Sequence, residues 1–536
     1  MPDMIAPDQH DHLASYIGAC CRAFSDRPAF VQDEVVLTYA QTWEQSGRIA
    51  GFLRDVCGVH EGDRVAVMLP NVPSFPLSSL AVLRVGAVQV NVNPLYTARE
   101  LRHQLEDAEV AVIIACKAAL PALLEAGSAL IRTIILVDTV PGEYFGAAPP
   151  HLALIGMEEV LGSAKTLDED WLPSPNGLAF LQYTGGTTGL SKGAMLTHAN
   201  ILANVRQFLS MGRPHFQSHP TTVLTAIPLY HIFALTVNMF AMFALGAKNI
   251  LVADPRNMGG LVEQWARHRI NFLTGVNTLF KAMCADERFC ALDFAPELLA
   301  MGGGASVQKV VSERWAALTG RHIREGYGLS ETSPILTCTP FDEQRFLGSI
   351  GRAVPDTELV ILDMCGRQLG MGEVGELCAR GPQVMRGYWR RADASADVMT
   401  SDGFFRTGDM ARFDAEGRFY IVDRQKDMIL VSGFNVYPNE VEAVVAEMPE
   451  VIECACVGRP DAGTGEAVCV FVVRKDGALT EQAVRDHCRT NLAAYKVPRE
   501  VRFIDDMPKS NVGKILRREL RAMLFQESRA QGASAA

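Results

Sequence analysis

The sequence predicts an α/β protein: a large N-terminal domain of mainly parallel sheets with flanking helices, a β-rich subdomain inside it, and a small α+β C-terminal domain. Three observations lead there. Short apolar runs alternate with amphipathic stretches through roughly the first 300 residues, the pattern of strands buried on both faces between crossover helices. From Gly348 to Asp423, glycines and turn residues cut the chain into short strands. After Arg424 helical patterns return, and the acidic excess of the preceding residues gives way to near-neutrality.

Taken in order, "RVAVML" at 64–69, "AVIIA" at 111–115, "TIILV" at 133–137 and "LAFLQYT" at 178–184 predict buried strands. Between them, Tyr39 to Leu53 and Thr97 to Leu105 carry helical periodicity. The apolar window Ile227 to Ala247 contains Pro228, His231 and Asn238, which are costly in hydrocarbon, so it predicts a turn and a buried helix rather than a membrane span. "ELVILD", "GELCARG" and "RFYIVD" supply the strands of the β-rich part, about 348–423. A domain boundary is expected at 424–426, dividing residues 1–423 from 427–536. Beyond it come a helix near Glu440, strands at "IECACVG" and "AVCVFVVR", a helix near 481–490, and a basic tail ending in a low-complexity "AQGASAA" expected to be disordered.

Bulk properties narrow the function. Hydrophobic residues make up 48% and charged residues 21% of 536 residues, ordinary for a globular enzyme. A formal net charge of -11 argues against a nucleic-acid partner, which needs a basic surface. The 13 cysteines lack metal-ligand spacing, so free thiols in a reducing cytoplasm are expected. The start, "MPDMIAPDQHDH", lacks the basic-then-apolar pattern of a signal peptide.

"YTGGTTGLSKGAMLTHAN", from Tyr183 to Asn200, is the densest glycine, threonine and lysine stretch. It is not the P-loop of nucleotide hydrolases, because Lys192 is followed by Gly193 rather than by a hydroxyl residue. It still has the parts of a phosphate cradle. A strand ends near Tyr183, glycines let backbone N–H groups close on an anion, and Thr184, Thr187, Thr188, Ser191 and Lys192 supply hydroxyls and a charge.

The stretch resembles the phosphate-binding loop of adenylate-forming enzymes, the superfamily of acyl-CoA synthetases, luciferases and peptide-synthetase adenylation domains. Further motifs follow in the order that superfamily uses: "GYGLSET" at 326–332, "DGFFRTGD" at 402–409, "DRQKDMILVSGFNVYPNEVE" at 423–442 and "PKSNVGKILRREL" at 508–520. With "LTYAQTWEQS", "NPLYTARELRHQL" and "PLYHIFAL", the resemblance spans nearly the whole chain. "GVNTLF" at 275–280 and "GPQVMRGYW" at 381–389 resemble the bacterial long-chain fatty acid–CoA ligases most closely.

The resemblance implies a two-step ligase that uses ATP, Mg2+ and coenzyme A. A fatty carboxylate attacks the α-phosphate to give acyl-AMP and pyrophosphate, and the CoA thiol then displaces AMP. The implied nucleotide set is Thr184, Gly185, Gly186, Thr187, Thr188, Gly189 and Lys192 on the phosphates, Glu325, Gly326, Tyr327, Gly328 and Ser330 around adenine, and Asp409 with Arg424 on the ribose. Gly326 and Gly328 are expected to let adenine approach closely. Thr184 and Glu331 are the implied magnesium residues. Lys514, with Lys192 and Glu331, is implied in catalysis, bridging the carboxylate and the α-phosphate.

The same resemblance makes the C-terminal domain mobile about Lys426 as hinge, with Gly433 and Phe434 on the CoA side in a second pose. His231, Leu235, Val276, Gly302, Gly303 and Gly304 are the implied acyl-pocket residues. Some long-chain members carry a tryptophan gate four residues beyond the histidine, where this chain has Leu235. A cytoplasmic protein is expected, with peripheral contact to the inner membrane face implied because the substrate partitions into lipid. Two rival readings stay open at this point: adenylation of another acid (medium-chain or aryl) or for another acceptor such as a carrier protein, and a lipid-binding protein without catalysis. Chain-length preference and oligomeric state, a homo-oligomer included, are open too.

Overall fold

The computed structural model describes residues 5–140, 148–163, 165–167, 174, 176–184, 191–216, 218–461, 463–510 and 513–524. Gly185, Gly186, Thr187, Thr188 and Gly189 of the expected phosphate loop lie outside the described residues, as does the terminal "AQGASAA".

Four sheets organise the described residues. The first has seven strands, in the order Ala153–Gly156, Thr133–Val137, Val112–Cys116, Arg64–Met68, Val88–Asn91, Leu178–Thr184 and Lys192–Thr197. All neighbours run parallel except the last pair. The second has nine strands, parallel through Arg324–Gly328, Leu299–Gly302, Phe272–Gly275, Thr222–Thr225, Lys248–Leu251 and Pro28–Gln32, with antiparallel pairs at both edges. One buried cluster draws Val65, Val67, Ile114 and Phe180 from the first sheet and Val223, Phe272, Leu299 and Met301 from the second, together with helix residues such as Leu80, Phe208 and Phe240. Continuous apolar runs form these strands because helices cover both faces.

The third sheet is antiparallel: Glu358–Leu362, Gly375–Arg380, Phe405–Phe413 and Phe419–Arg424. It is joined to the second at Gly351, which bridges Phe419. The fourth sheet has five strands, all after residue 428, with helices Pro438–Val445 and Glu481–Asn491 on it. Its strand Glu500–Phe503 lies parallel to Gly465–Arg474 and is one the sequence pattern does not reveal.

The apolar window after Pro228 is a helix, but of mixed type. Ile232–Ala234 is α-helical and Leu235–Ala241 is a π-helix. Wider turns loosen the i to i−4 ladder, and other groups take up the backbone. Tyr16 takes up one such carbonyl, donating its hydroxyl to Phe240 at 2.9 Å, while the Thr236 side chain ties the helix to the Ser333 carbonyl at 2.8 Å. Apolar periodicity cannot distinguish this from an ordinary buried helix. Among the described residues no helix is long and apolar enough to cross a membrane.

Candidate active site

Strand register sets the first pair. Asp409 and Arg424 are directly opposed on neighbouring strands of the third sheet, and Arg424 Nε reaches Asp409 Oδ1 at 3.0 Å. The turn before Asp409 is held from below. Glu376 accepts from Arg406 at 2.7 Å and from the Gly408 N–H at 3.2 Å, and Thr407 donates to the Leu377 carbonyl. From the nine-stranded sheet, Tyr327 donates its hydroxyl to Asp409 Oδ2 at 2.6 Å. Burial, then the charge of Asp409, raises the Tyr327 phenol well above its ordinary range.

Tyr327 stands between Gly326 and Gly328, and at Gly328 the surrounding backbone itself bars a side chain. A Cβ on Gly326 would meet Met301 Cε at 2.3 Å, and one on Gly328 would meet the Pro334 carbonyl oxygen at 1.7 Å. Glu325, just before them, is buried and accepts from the Val307 N–H at 2.6 Å; burial pushes its carboxyl up to about 7. Ser330 and Glu331 follow in a 3-10 turn, Ser330–Thr332.

Glu331 is buried, and its Oε1 accepts from the Tyr388 hydroxyl at 2.8 Å. Burial raises its carboxyl above the usual range, opposed by that hydroxyl. A buried carboxylate so poorly compensated fits a cation held together with a triphosphate, and Thr184, at the end of its strand, offers a hydroxyl oxygen of the kind magnesium accepts. Thr184 is paired with Lys192 on the neighbouring antiparallel strand, and Lys192 Nζ lies 5.2 Å from the centre of the Tyr388 ring. Tyr388 thus joins Lys192 to Glu331. The sequence carries Tyr388 inside "GPQVMRGYW", where spacing alone does not single it out from its neighbours.

Lys514 enters from the C-terminal part of the chain. It sits on a tight loop, where Ser510 Oγ accepts from the Lys514 N–H at 3.1 Å and the Ser510 N–H donates back to the Lys514 carbonyl at 2.7 Å. Thr278 donates to the Gly513 carbonyl at 3.4 Å, tying that loop to helix Asn277–Ala285. Lys514 Cε lies 3.2 Å from where a Cβ of Gly304 would be, and Gly304 has φ +76°, so no larger side chain fits there without strain. Burial, then the charge of Arg424, pushes the Lys514 ammonium down to about 8, against the pull of Asp409 and Glu331. Lys192, Glu331, Tyr327, Asp409, Arg424 and Lys514 therefore belong to one cluster drawn from all four sheets or the loops beside them.

His231 caps the mixed helix, its Nδ1 accepting from the Phe233 N–H at 3.2 Å. That bond fits a neutral ring with its proton on Nε2. Burial and Lys514 push its pKa down to about 3. Leu235 is fully buried at the start of the π-helix. Val276 lies 3.8 Å from the Cβ position of Gly304. Gly303 faces the Phe233 ring, at 2.8 Å from its own Cβ position, whereas the space beside Gly302 is already filled by a Val307 methyl at 2.4 Å.

Lys426 lies in the 3-10 turn Gln425–Asp427. It is flanked by Arg424, paired with Asp409, and by Asp427, paired with Arg521 at 2.7 Å and Arg517 at 3.6 Å. Gly433 tips a hairpin with φ +83°, and a Cβ built there would meet nothing within 4 Å. Phe434 beside it is 57% exposed and stacks on Tyr495 at 5.0 Å. Gly433 and Phe434 make no hydrogen bond or charge contact with the cluster around Lys514 among the described residues.

Residues 19–389 match the family of AMP-binding enzymes, and residues 440–514 match the AMP-binding enzyme C-terminal domain. The chain belongs to this family. It is 44% identical to a long-chain-fatty-acid–CoA ligase of Yersinia pestis, over 97% of this chain and 96% of that protein. A long-chain-fatty-acid–CoA ligase of Haemophilus influenzae is 41% identical over 96% of this chain and 95% of its own length. The solved structure of ATP-bound MatB from Rhodopseudomonas palustris superposes with a TM-score of 0.83 at 29% identity, covering 95% of this chain and 98% of MatB.

Proposed function

We propose that this chain is an AMP-forming acid–thiol ligase, an ATP-dependent long-chain fatty acid–CoA ligase. A fatty carboxylate oxygen attacks the α-phosphorus of ATP, the bond to the bridging oxygen breaks, and pyrophosphate leaves. The CoA sulfur then attacks the acyl carbon, the bond to the AMP oxygen breaks, and AMP departs as the thiol proton is lost. The observation that carries the reading is the position of Lys514, a C-terminal lysine brought beside Gly304 and within electrostatic reach of Arg424, Asp409 and Glu331. The two ligases named above, alike over nearly the whole chain, supply the acid class.

Each residue has a task in that scheme. Asp409 takes the ribose hydroxyls on its two oxygens, a job suited to a carboxylate. Tyr327 stacks on adenine. Lys192 meets the β- and γ-phosphates as a point charge. Magnesium supplies neutralisation of the triphosphate charge when bound, and Glu331 with Thr184 would hold it. Lys514 faces the carboxylate and the α-phosphate, where negative charge accumulates as they join; fixed charge there favours the transition state. A triphosphate beside Lys514 restores its charge, since nearby anions raise an ammonium pKa. His231, neutral at all working pH values, offers its Nε2–H to the carboxylate. Leu235, Val276, Gly303 and Gly304 border the acyl chain.

The two half-reactions need different surroundings at one acyl carbon. We assign the change to a swing of residues 427–536 about 424–426, with Lys426 absorbing the backbone rotation and Gly433 and Phe434 brought to the pantetheine arm. The test is a panel of acids graded by length, with aryl acids included, assayed for AMP release with and without CoA. The reading expects CoA-dependent AMP release strongest with long-chain acids. Preference for an aryl acid, or pyrophosphate release with no thioester, would overturn it.

A further inference from the structure

Helix Ala98–Asp107 is built by the segment "NPLYTARELRHQL" and its two following residues, and none of the tasks above uses it. Its start is secured by a capping box between Thr97 and Glu100. Its last residue, Asp107, lies at the negative end of the helix dipole, where a carboxylate is disfavoured unless partners offset it. Asp107 has three. Tyr183 donates its hydroxyl to Oδ2 at 2.6 Å, Arg391 meets Oδ1 at 2.6 Å, and Trp389 Nε1 donates to the Asp107 carbonyl at 3.0 Å. One turn earlier, on the same face, His103 Nε2 donates to the Ser191 carbonyl at 3.1 Å.

These partners lie on three separate pieces of the triphosphate half of the site. Tyr183 precedes Thr184 on the outgoing strand of the hairpin, and its ring lies 3.1 Å from the Cβ position of Gly193 on the return strand. Ser191 precedes Lys192. Trp389 and Arg391 flank Arg390, which has φ +54°, and Gly387, on the other side of Tyr388, has φ +140°. That segment is laced to the return strand: the Trp389 N–H donates to the Gly193 carbonyl at 2.8 Å and the Arg386 N–H to the Met195 carbonyl at 3.0 Å. The Met385 N–H also donates to the Glu331 carbonyl at 2.7 Å.

We propose that Asp107 is the positioning residue of the triphosphate half of the site: by holding Tyr183 and Arg391 together through its carboxylate it fixes Lys192, Tyr388 and Glu331 relative to one another. Asp107 touches no substrate in this account and acts only through Tyr183 and the 386–391 segment. The role rests on the reading of the chain as an adenylating ligase and adds to it the element that sets ATP apart from AMP. Displacing Lys192 and Glu331 weakens the grip on the β- and γ-phosphates while leaving the nucleoside end, at Tyr327 and Asp409, intact.

Calorimetric titration of Asp107→Ala, Asp107→Asn and Tyr183→Phe with Mg-ATP and with AMP tests this, alongside thiolysis of supplied palmitoyl-AMP. Asp107→Ala should weaken ATP binding by at least about tenfold, with AMP binding and thiolysis within about twofold of the parent, because only the misplaced groups lose contacts. Tyr183→Phe, which removes a single hydroxyl, should show a smaller loss of the same kind even if Asp107→Ala folds poorly. Equal weakening of ATP and AMP in Tyr183→Phe and Asp107→Asn, or no weakening of either, would overturn the proposal. If the parent binds ATP but does not activate palmitate, the acid class is wrong and the Asp107 role stands on the titrations. If the parent binds no ATP, both fall.

Discussion

Tyr327 and Asp409 are joined by a 2.6 Å hydrogen bond between the nine-stranded sheet and the third sheet, and Arg424 occupies the other oxygen of Asp409 at 3.0 Å. On the proposed assignment, ribose hydroxyls would share or displace partners that Asp409 already has. Tyr327→Phe keeps the ring and removes one competitor, so ATP affinity should change by less than about threefold, since a hydrogen bond exchanged for another nets little. Asp409→Ala removes both acceptors and should weaken ATP binding about a hundredfold, given roughly 1.5–3 kcal/mol for each bond to a charged group. Titration calorimetry measures both. A larger loss in Tyr327→Phe than in Asp409→Ala would contradict the ribose assignment.

Lys514 gives a pH prediction. Its ammonium is pushed down to about 8 by burial and Arg424, so it carries its charge below that pH and loses it above. Adenylation at subsaturating ATP should fall as pH rises through about 8. Thiolysis of supplied acyl-AMP should lack that limb. Lys514→Ala should cut pyrophosphate–ATP exchange by several hundredfold, on the scale of about 2.7–4 kcal/mol for a removed transition-state donor. Equal loss in both half-reactions would reject the assignment.

Tyr388 lowers the Glu331 carboxyl, against burial, which raises it. Tyr388→Phe should therefore raise that carboxyl further. In the proposed role Glu331 works as a carboxylate, so activity should be lost as pH falls through its pKa, and the acid limb of the rate profile should move to higher pH in the variant. The magnesium concentration giving half-maximal rate should rise too, by about tenfold if the lost bond is worth about 1.4 kcal/mol. An unchanged acid limb together with an unchanged magnesium requirement would count against the Tyr388–Glu331 linkage.

Lys426 sits in a 3-10 turn, a backbone shape compatible with the fixed φ of proline. Lys426→Pro should leave pyrophosphate–ATP exchange within about threefold of the parent while slowing thioester formation at least about tenfold, because the rotation between poses is blocked. Stopped-flow or quench measurements of the two half-reactions decide it. Undiminished overall turnover would remove Lys426 from the hinge.

Much of the fold was legible because parallel strands covered on both faces announce themselves as unbroken apolar runs, as at 64–69 and 133–137. Strand Glu500–Phe503 was not, being short and carrying Glu500 and Arg502 between its apolar residues. The π-helix after Ala234 was hidden because burial all round erases periodicity. In the site, residues inside contiguous motifs could be named from the sequence. Contacts between distant segments could not: Tyr183 with Asp107, Arg391 with Asp107 and Tyr388 with Glu331 are separated by 76, 284 and 57 positions. Gly328 also needed coordinates, since only the position of the Pro334 carbonyl explains why a side chain is barred there.

The most direct measurement follows labelled ATP through one turnover with palmitate, first without and then with CoA. Without CoA, enzyme-bound palmitoyl-AMP and free pyrophosphate should form in equal amounts. On adding CoA, AMP and palmitoyl-CoA should appear together, one for one. Release of ADP and orthophosphate, or AMP formed without any acid present, would contradict activation of the carboxylate as an adenylate.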